Sequence, residues 1–155
     1  MKNYIFHPLH EKSCPGEVHF TTGILIKADI ETVWDNVCKA ENVKKYFTTD
    51  ARKDLDNEGE ALWVWGEEAA LLNVLEVTPY EKFVFEWNAM NVDYKTRTTF
   101  SFEDVNGKIR VKIRETGWEM NDAGVKSAFA NCSGWTEFLN ALKVFIEYKI
   151  KLIGN

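Results

Sequence analysis

Cysteine is scarce. The 155 residues carry only Cys14, Cys38 and Cys132, far apart and with no CxxC pair. An odd, scattered set excludes a disulfide framework and fits a reduced, intracellular protein. Positive charge is also short, with 19 Lys and Arg against 24 Asp and Glu and a net charge of −5. Binding nucleic acid, or docking on anionic lipid, needs a basic face, so neither is expected. No apolar run approaches the roughly 18 residues of a membrane span. The opening MKNYIFHPLHEK has no basic stretch followed by an apolar one, so no secretory signal is expected and the expected location is the cytoplasm. Neither GxxxxGK(S/T) nor GxGxxG occurs, which leaves no sign of a phosphate-cradling glycine loop.

What the chain has in plenty is aromatic surface. Six Trp, ten Phe and five Tyr bring aromatic content to 14%. Such side chains build stiff cores and also line apolar pockets, and composition alone leaves both readings open. The length suits one domain, expected to span 1–155, with 1–18 an irregular extension punctuated by Pro8, Pro15 and Gly16 and with the core at 19–153.

Periodicity orders the elements. HFTTGILIKA, from His19, reads as a strand with Phe20, Thr22, Ile24 and Ile26 on one face. DIETVWDNVCKA reads as a helix capped by Asp29, with Ile30, Val33, Trp34 and Val37 at helical spacing. A second short helix is expected over NVKKYFTT. Strands follow at ARKDLD, GEALWVWGEE, ALLNVLEVTPY and EKFVFEWN, then a hairpin of YKTRTTFSFED and KIRVKIRETGW across Val105-Asn106-Gly107. NDAGVKSAFANCS reads as a short helix or a loop. The chain closes on a long helix whose stripe is Trp135, Phe138, Leu139, Leu142, Phe145, Ile146, Leu152 and Ile153. In the hairpin one face is apolar, while the other carries Lys95, Arg97, Arg110, Lys112 and Arg114 and is read as a solvated face or a protein-docking surface.

Three stretches resemble the AHSA-type family, homologues of the activator of the 90-kDa heat-shock protein ATPase, within the START-like (SRPBCC, birch-pollen-allergen-like) helix-grip superfamily. IKADIETVWDNVCKAENVKKYF is similar to the family's strand, A-P-x-E-x-V-W helix and W-F second helix. NVLEVTPYEKFVFEW is similar to G-x-V-L-E-V-x-P-P-x-R-L-V-F-T-W, and SGWTEFLNALKVFIE to G-W-x-x-x-L-x-x-L-K-x-x-L-E. Asp29-Ile30, Tyr46 and Glu81-Lys82 depart from these patterns at positions that look structural. The resemblance implies an α+β helix-grip fold: two short helices after the first strand, then a curved antiparallel sheet of about six to seven strands wrapped on the C-terminal helix. It also implies a cavity between sheet and helix.

Trp63, Trp65, Phe85, Trp87, Phe100, Trp135, Phe138 and Leu142 are the apolar candidates for lining that cavity, against the plainer reading that they fill a core. Asn73, Thr98 and Glu115 are the polar candidates, each expected to share an inward strand face with apolar neighbours. Glu115 can orient a ligand or act as an acid or base; its plain reading is a carboxylate at a strand end that touches water or is satisfied by backbone donors. His7, His10 and Cys14, with His19, are a weak zinc pattern, and no metal or other cofactor is expected. Cys132 near a helix start has no histidine placed to activate it. The leading expectation is a non-catalytic binder of an apolar or amphipathic small molecule, monomeric or homodimeric. The alternatives are a protein-interaction module, with a chaperone or another protein as partner, and a cyclase- or hydrolase-like enzyme of the same superfamily. No N-terminal chaperone-binding domain is recognisable, which speaks against a full co-chaperone role.

Overall fold

The computed structural model describes residues 17–153. Its elements run β1 (Glu17–Ile26), α1 (Ile30–Cys38), α2 (Ala40–Val43), β2 (Asp50–Arg52), β3 (Gly59–Trp65), β4 (Glu68–Thr78), β5 (Lys82–Asn88), β6 (Lys95–Val105), β7 (Lys108–Glu119) and α3 (Asp122–Tyr148). The strands make one antiparallel sheet in the order β1-β7-β6-β5-β4-β3-β2. This curved sheet packs one face against α3, which is the helix-grip architecture.

Local chemistry sets the boundaries. The Asp29 carboxylate accepts from Thr32 N at 2.7 Å and caps α1, and that backbone bond holds the carboxyl below its ordinary pKa. Asn106 and Gly107 take φ of 54° and 76°, the left-handed pair that a tight hairpin turn requires, and Gly107 N donates to Asp104 Oδ1 at 3.0 Å. The Asn121 side chain caps α3 by accepting from Gly124 N at 2.8 Å. Alternation then decides burial. Thr96, Thr98, Phe100 and Phe102 of β6, with Ile109, Val111, Ile113 and Glu115 of β7, all turn toward α3 and are buried. Each fully buried Phe in this layer contributes about 1.5–3 kcal/mol from area alone.

Several expectations are corrected. β1 begins at Glu17, two residues before His19. The second short helix is Ala40–Val43, so Tyr46 and Phe47 lie in the turn after it; Tyr46 is fully buried and donates its hydroxyl to Asn36 O at 3.0 Å. Residues 121–133 are neither loop nor separate helix, because α3 runs unbroken for 27 residues, about 40 Å at 1.5 Å per residue. It stops at Tyr148, where Lys149 turns left-handed, so Leu152 lies outside the helix and exposed. Cys132 therefore sits in mid-helix, and Cys38 is buried, which pushes its thiol pKa up. Between α1 and β3, Asp56 and Asp54 hold Lys39 Nζ at 2.6 and 3.2 Å and push its pKa up. On the outer face Arg97 pairs with Glu86 and Lys112 with Glu103, exposed pairs of small energetic weight. His7, His10 and Cys14 lie outside the described residues. None of the described helices is long and apolar enough to cross a membrane.

One polar lock ties α3 to the end of β1. Lys143 Nζ donates to Leu25 O at 2.5 Å and to Glu147 Oε1 at 2.9 Å, and Lys27 N donates to the same oxygen at 2.8 Å. Lys143 first, then the Lys27 backbone, lower the Glu147 pKa in the folded state. A lowered folded pKa stabilises in full above the unfolded value and is lost as pH falls through the folded one. Glu147→Gln is therefore expected to lower the melting temperature at pH 7, with the gap from wild type closing below about pH 4. Thermal melts across pH 3–7 check this, and a gap constant with pH would contradict it.

Candidate functional site

The charged group at the heart of the described residues is Glu115 on β7. It is fully buried, and donors from three other elements converge on its carboxylate. Oε1 accepts from Trp87 Nε1 of β5 at 2.8 Å, Thr96 Oγ1 of β6 at 2.5 Å and Asn131 Nδ2 of α3 at 3.0 Å. Oε2 accepts from Trp135 Nε1 of α3 at 2.7 Å. A carboxylate taken out of water costs several kcal/mol, and hydrogen bonds to both its oxygens offset that cost. The reading of Glu115 as a strand-end residue touching water is thereby corrected.

Three of these donors, Trp87, Asn131 and Trp135, are also walls. A partly open cleft of about 290 Å³ lies between β3, β4, β5 and α3, and the rings of Trp87 and Trp135 line it with those of Phe47, Trp63 and Trp65. Alternation on β3 puts Trp63 and Trp65 on the inner face together, 6.0 Å apart between ring centroids, and Trp87 and Trp135 stand 5.1 Å apart. Ala69, Ala70, Ala130 and Gly134 supply the small surfaces that leave the space between the rings. Glu68 is the one titratable group among the described lining residues.

Of the candidates named from sequence, Trp63, Trp65, Trp87 and Trp135 line the cleft. Phe85, Phe100, Phe138 and Leu142 are fully buried within the core, where Phe100 and Phe138 pack ring to ring at 5.7 Å. Thr98 is buried too, with no partner for its hydroxyl among the described residues. Glu115 lies behind the wall rather than in it. Asn73 is corrected outright. The β4–β5 ladder shifts between Val74 and Glu76, so a bulge at Leu75 reverses the alternation. Leu72 and Val74 point inward, Val77 regains the inner side, and Asn73 lines a separate hollow of about 360 Å³ on the other face of the sheet. Sequence reasoning misses Phe47, Asn131 and Gly134. Asn131 and Trp135 are four apart, so a continuous helix places them on one face, and that spacing is the signal that could have found Asn131.

Because Glu115 couples four elements, its amide should be costly. Glu115→Gln turns an N–H₂ group toward donors and leaves at least one of them unsatisfied, about 1–3 kcal/mol. For this size that is a fall of roughly 2–10 °C in melting temperature. Tryptophan emission should shift to the red as Trp87 and Trp135 loosen, and an unchanged melt and spectrum would contradict the coupling.

The sequence model of the family described as Activator of Hsp90 ATPase homolog 1-like protein matches residues 27–147. Among solved structures, the protein SSP2350 from Staphylococcus saprophyticus aligns with a TM-score of 0.75 at 19% identity, over 89% of this chain and 98% of that one. The Aha1 dimer from Colwellia psychrerythraea aligns at 0.70 and 21% identity, over 84% and 97%. DynU16, encoded in the dynemicin biosynthetic locus, aligns at 0.73 and 15% identity over 86% of this chain, which spans 48% of that one. At these identities the likeness is one of fold. No curated protein matches the chain significantly.

Proposed function

The chain belongs to the family of Activator of Hsp90 ATPase homolog 1-like proteins, and from that premise we propose that it binds a small apolar or amphipathic molecule in the cleft between sheet and α3, without catalysis. The observation that carries this reading is the cleft itself, about 290 Å³, walled by aromatic rings and open to solvent on one side. Its volume stands at the lower end of small-molecule sites, which run from roughly 300 Å³ upward, so the guest is of one- or two-ring size. Trp63, Trp65, Trp87 and Trp135 hold it; Phe85, Thr98, Phe100, Phe138, Leu142 and Glu115 support those walls from behind. The cytoplasm remains the proposed location, on the grounds of the scattered cysteines.

Gly134 adds support. It lies inside α3 on the cleft lining, where a Cβ would meet nothing within 4 Å among the described residues. Glycine in a helix interior costs about 1 kcal/mol against alanine, with no packing reason for it here. The glycine keeps the cleft wide. Gly134→Ala is expected to raise the melting temperature of the unliganded protein by about 2–4 °C. Native mass spectrometry and a thermal-shift screen of one- and two-ring compounds test the binding. A ligand at a hundredfold excess over its Kd adds about 2.7 kcal/mol of stability, and Gly134→Phe should abolish its shift. A clean unliganded mass with no shift from any compound would sink the reading.

A second reading, docking on an Hsp90-type chaperone, draws on the family's description and on Leu71 and Leu75, which are 52% and 37% exposed on the face away from α3. Leu71→Glu should then abolish capture of the chaperone and leave the cleft's ligand shift intact. The same face is available to a second copy of the chain, and the Colwellia relative is described as a dimer; the sedimenting mass in an analytical ultracentrifuge separates the two cases.

A further inference from the structure

The charge character of the cleft is one-sided. Its described lining has five aromatic rings and one carboxylate, Glu68, but no lysine, arginine or histidine. A second carboxylate, Glu115, lies directly behind it, bonded to two of its rings. An aromatic ring has a negative face and a positive edge, and tryptophan attracts cations most strongly of the aromatic side chains.

Hydrogen bonding sharpens this. The N–H is the positive end of an indole, and in Trp87 and Trp135 it is turned away from the cleft and engaged by Glu115 at 2.8 and 2.7 Å. Donation to an anion polarises the donor, which leaves more electron density on the ring that faces the guest. Among the other lining rings, Phe47 stands at 72° to Trp63 and 87° to Trp65, and those two at 81° to each other. Trp63 is buried and stacked on Phe138, so Phe47 and Trp65, set nearly at right angles, are the two rings of this group that offer surface to a cationic head.

Building on ligand binding in the cleft, we propose that its ligand is an organic cation, a quaternary or protonated ammonium group on a small flat apolar body. Fatty acids and other anions are then poor guests, repelled by Glu68 and Glu115 and offered no cationic partner by the described lining.

Three probes of similar shape separate this from simple apolar binding: phenyltrimethylammonium, its neutral isostere tert-butylbenzene, and benzenesulfonate. Titration calorimetry or tryptophan quenching is expected to show the cation binding about tenfold or more tighter than the neutral isostere, with the sulfonate weakest. Glu68→Gln, at an exposed position, should weaken the cation by roughly two- to threefold and leave the neutral probe unchanged. Trp65→Leu should narrow the ratio of cation to neutral affinity. Equal or tighter binding of tert-butylbenzene overturns the cation assignment and leaves the cleft as an apolar site. Failure of all three probes overturns both. Cation binding that survives Gly134→Phe lies elsewhere on the protein and also overturns the assignment.

Discussion

The buried carboxylate of Glu115 is the constraint on which the arrangement depends. A charge in a dry interior is tolerated only when donors reach it, and here they come from β5, β6 and α3 at once. A hydrophobic contact would let the helix slide along the sheet by a few tenths of an ångström at little cost. Four directional bonds to two oxygens do not. The position of α3 over the sheet, and with it the spacing of Trp87 and Trp135, is set by polar geometry inside an otherwise aromatic core. Trp118 shows the same device beside the first turns of α3. Its indole donates to Ser127 Oγ at 2.9 Å, and that hydroxyl donates in turn to Met90 O.

The same bonds shape the chemistry of the cleft. Tryptophan normally brings a hydrogen-bond donor to a binding site, and these two walls do not, because their N–H groups are already engaged by Glu115. What they present is ring surface. For the proposed guest, selectivity would then follow from shape, from apolar area and from the sign of charge that a ring face and nearby carboxylates favour, rather than from direct hydrogen bonds to the indoles.

The legibility of the sequence divides along the same line. Strand alternation, the Asn106-Gly107 turn and the Asp29 cap are local signals, and the fold follows from them. Family resemblance supplies the grip of sheet on helix. The first turns of α3 stay hidden because Gly124, Ser127, Ala128 and Asn131 bury at helical spacing but are small or polar, so a search for apolar periodicity passes over them. At Gly124 the backbone approaches so closely that a Cβ would collide with Glu119 O, a contact that no pattern in the sequence announces. Alternation misplaces Asn73 because one bulge residue reverses a strand's two faces. The donors of Glu115 lie 16 to 28 residues away along the chain, and only the closed sheet brings them together.

The cleft itself raises a physical question, because protein interiors close on empty space when they can. The small residues Ala69, Ala70, Ala130 and Gly134 leave room, and flexible aromatic neighbours would fill it if their rings were free to turn. Two of them are not free. Rotation of Trp87 or Trp135 into the space would strip a hydrogen bond from a buried carboxylate, and dispersion attraction across a gap of this size does not offset that loss. Phe47, Trp63 and Trp65 brace one another at centroid distances of 5.6–6.0 Å, and Trp63 meets Trp135 edge to face at 6.3 Å. The cleft stays open because its walls are fastened from behind, and the fastening is the same Glu115 that positions the helix.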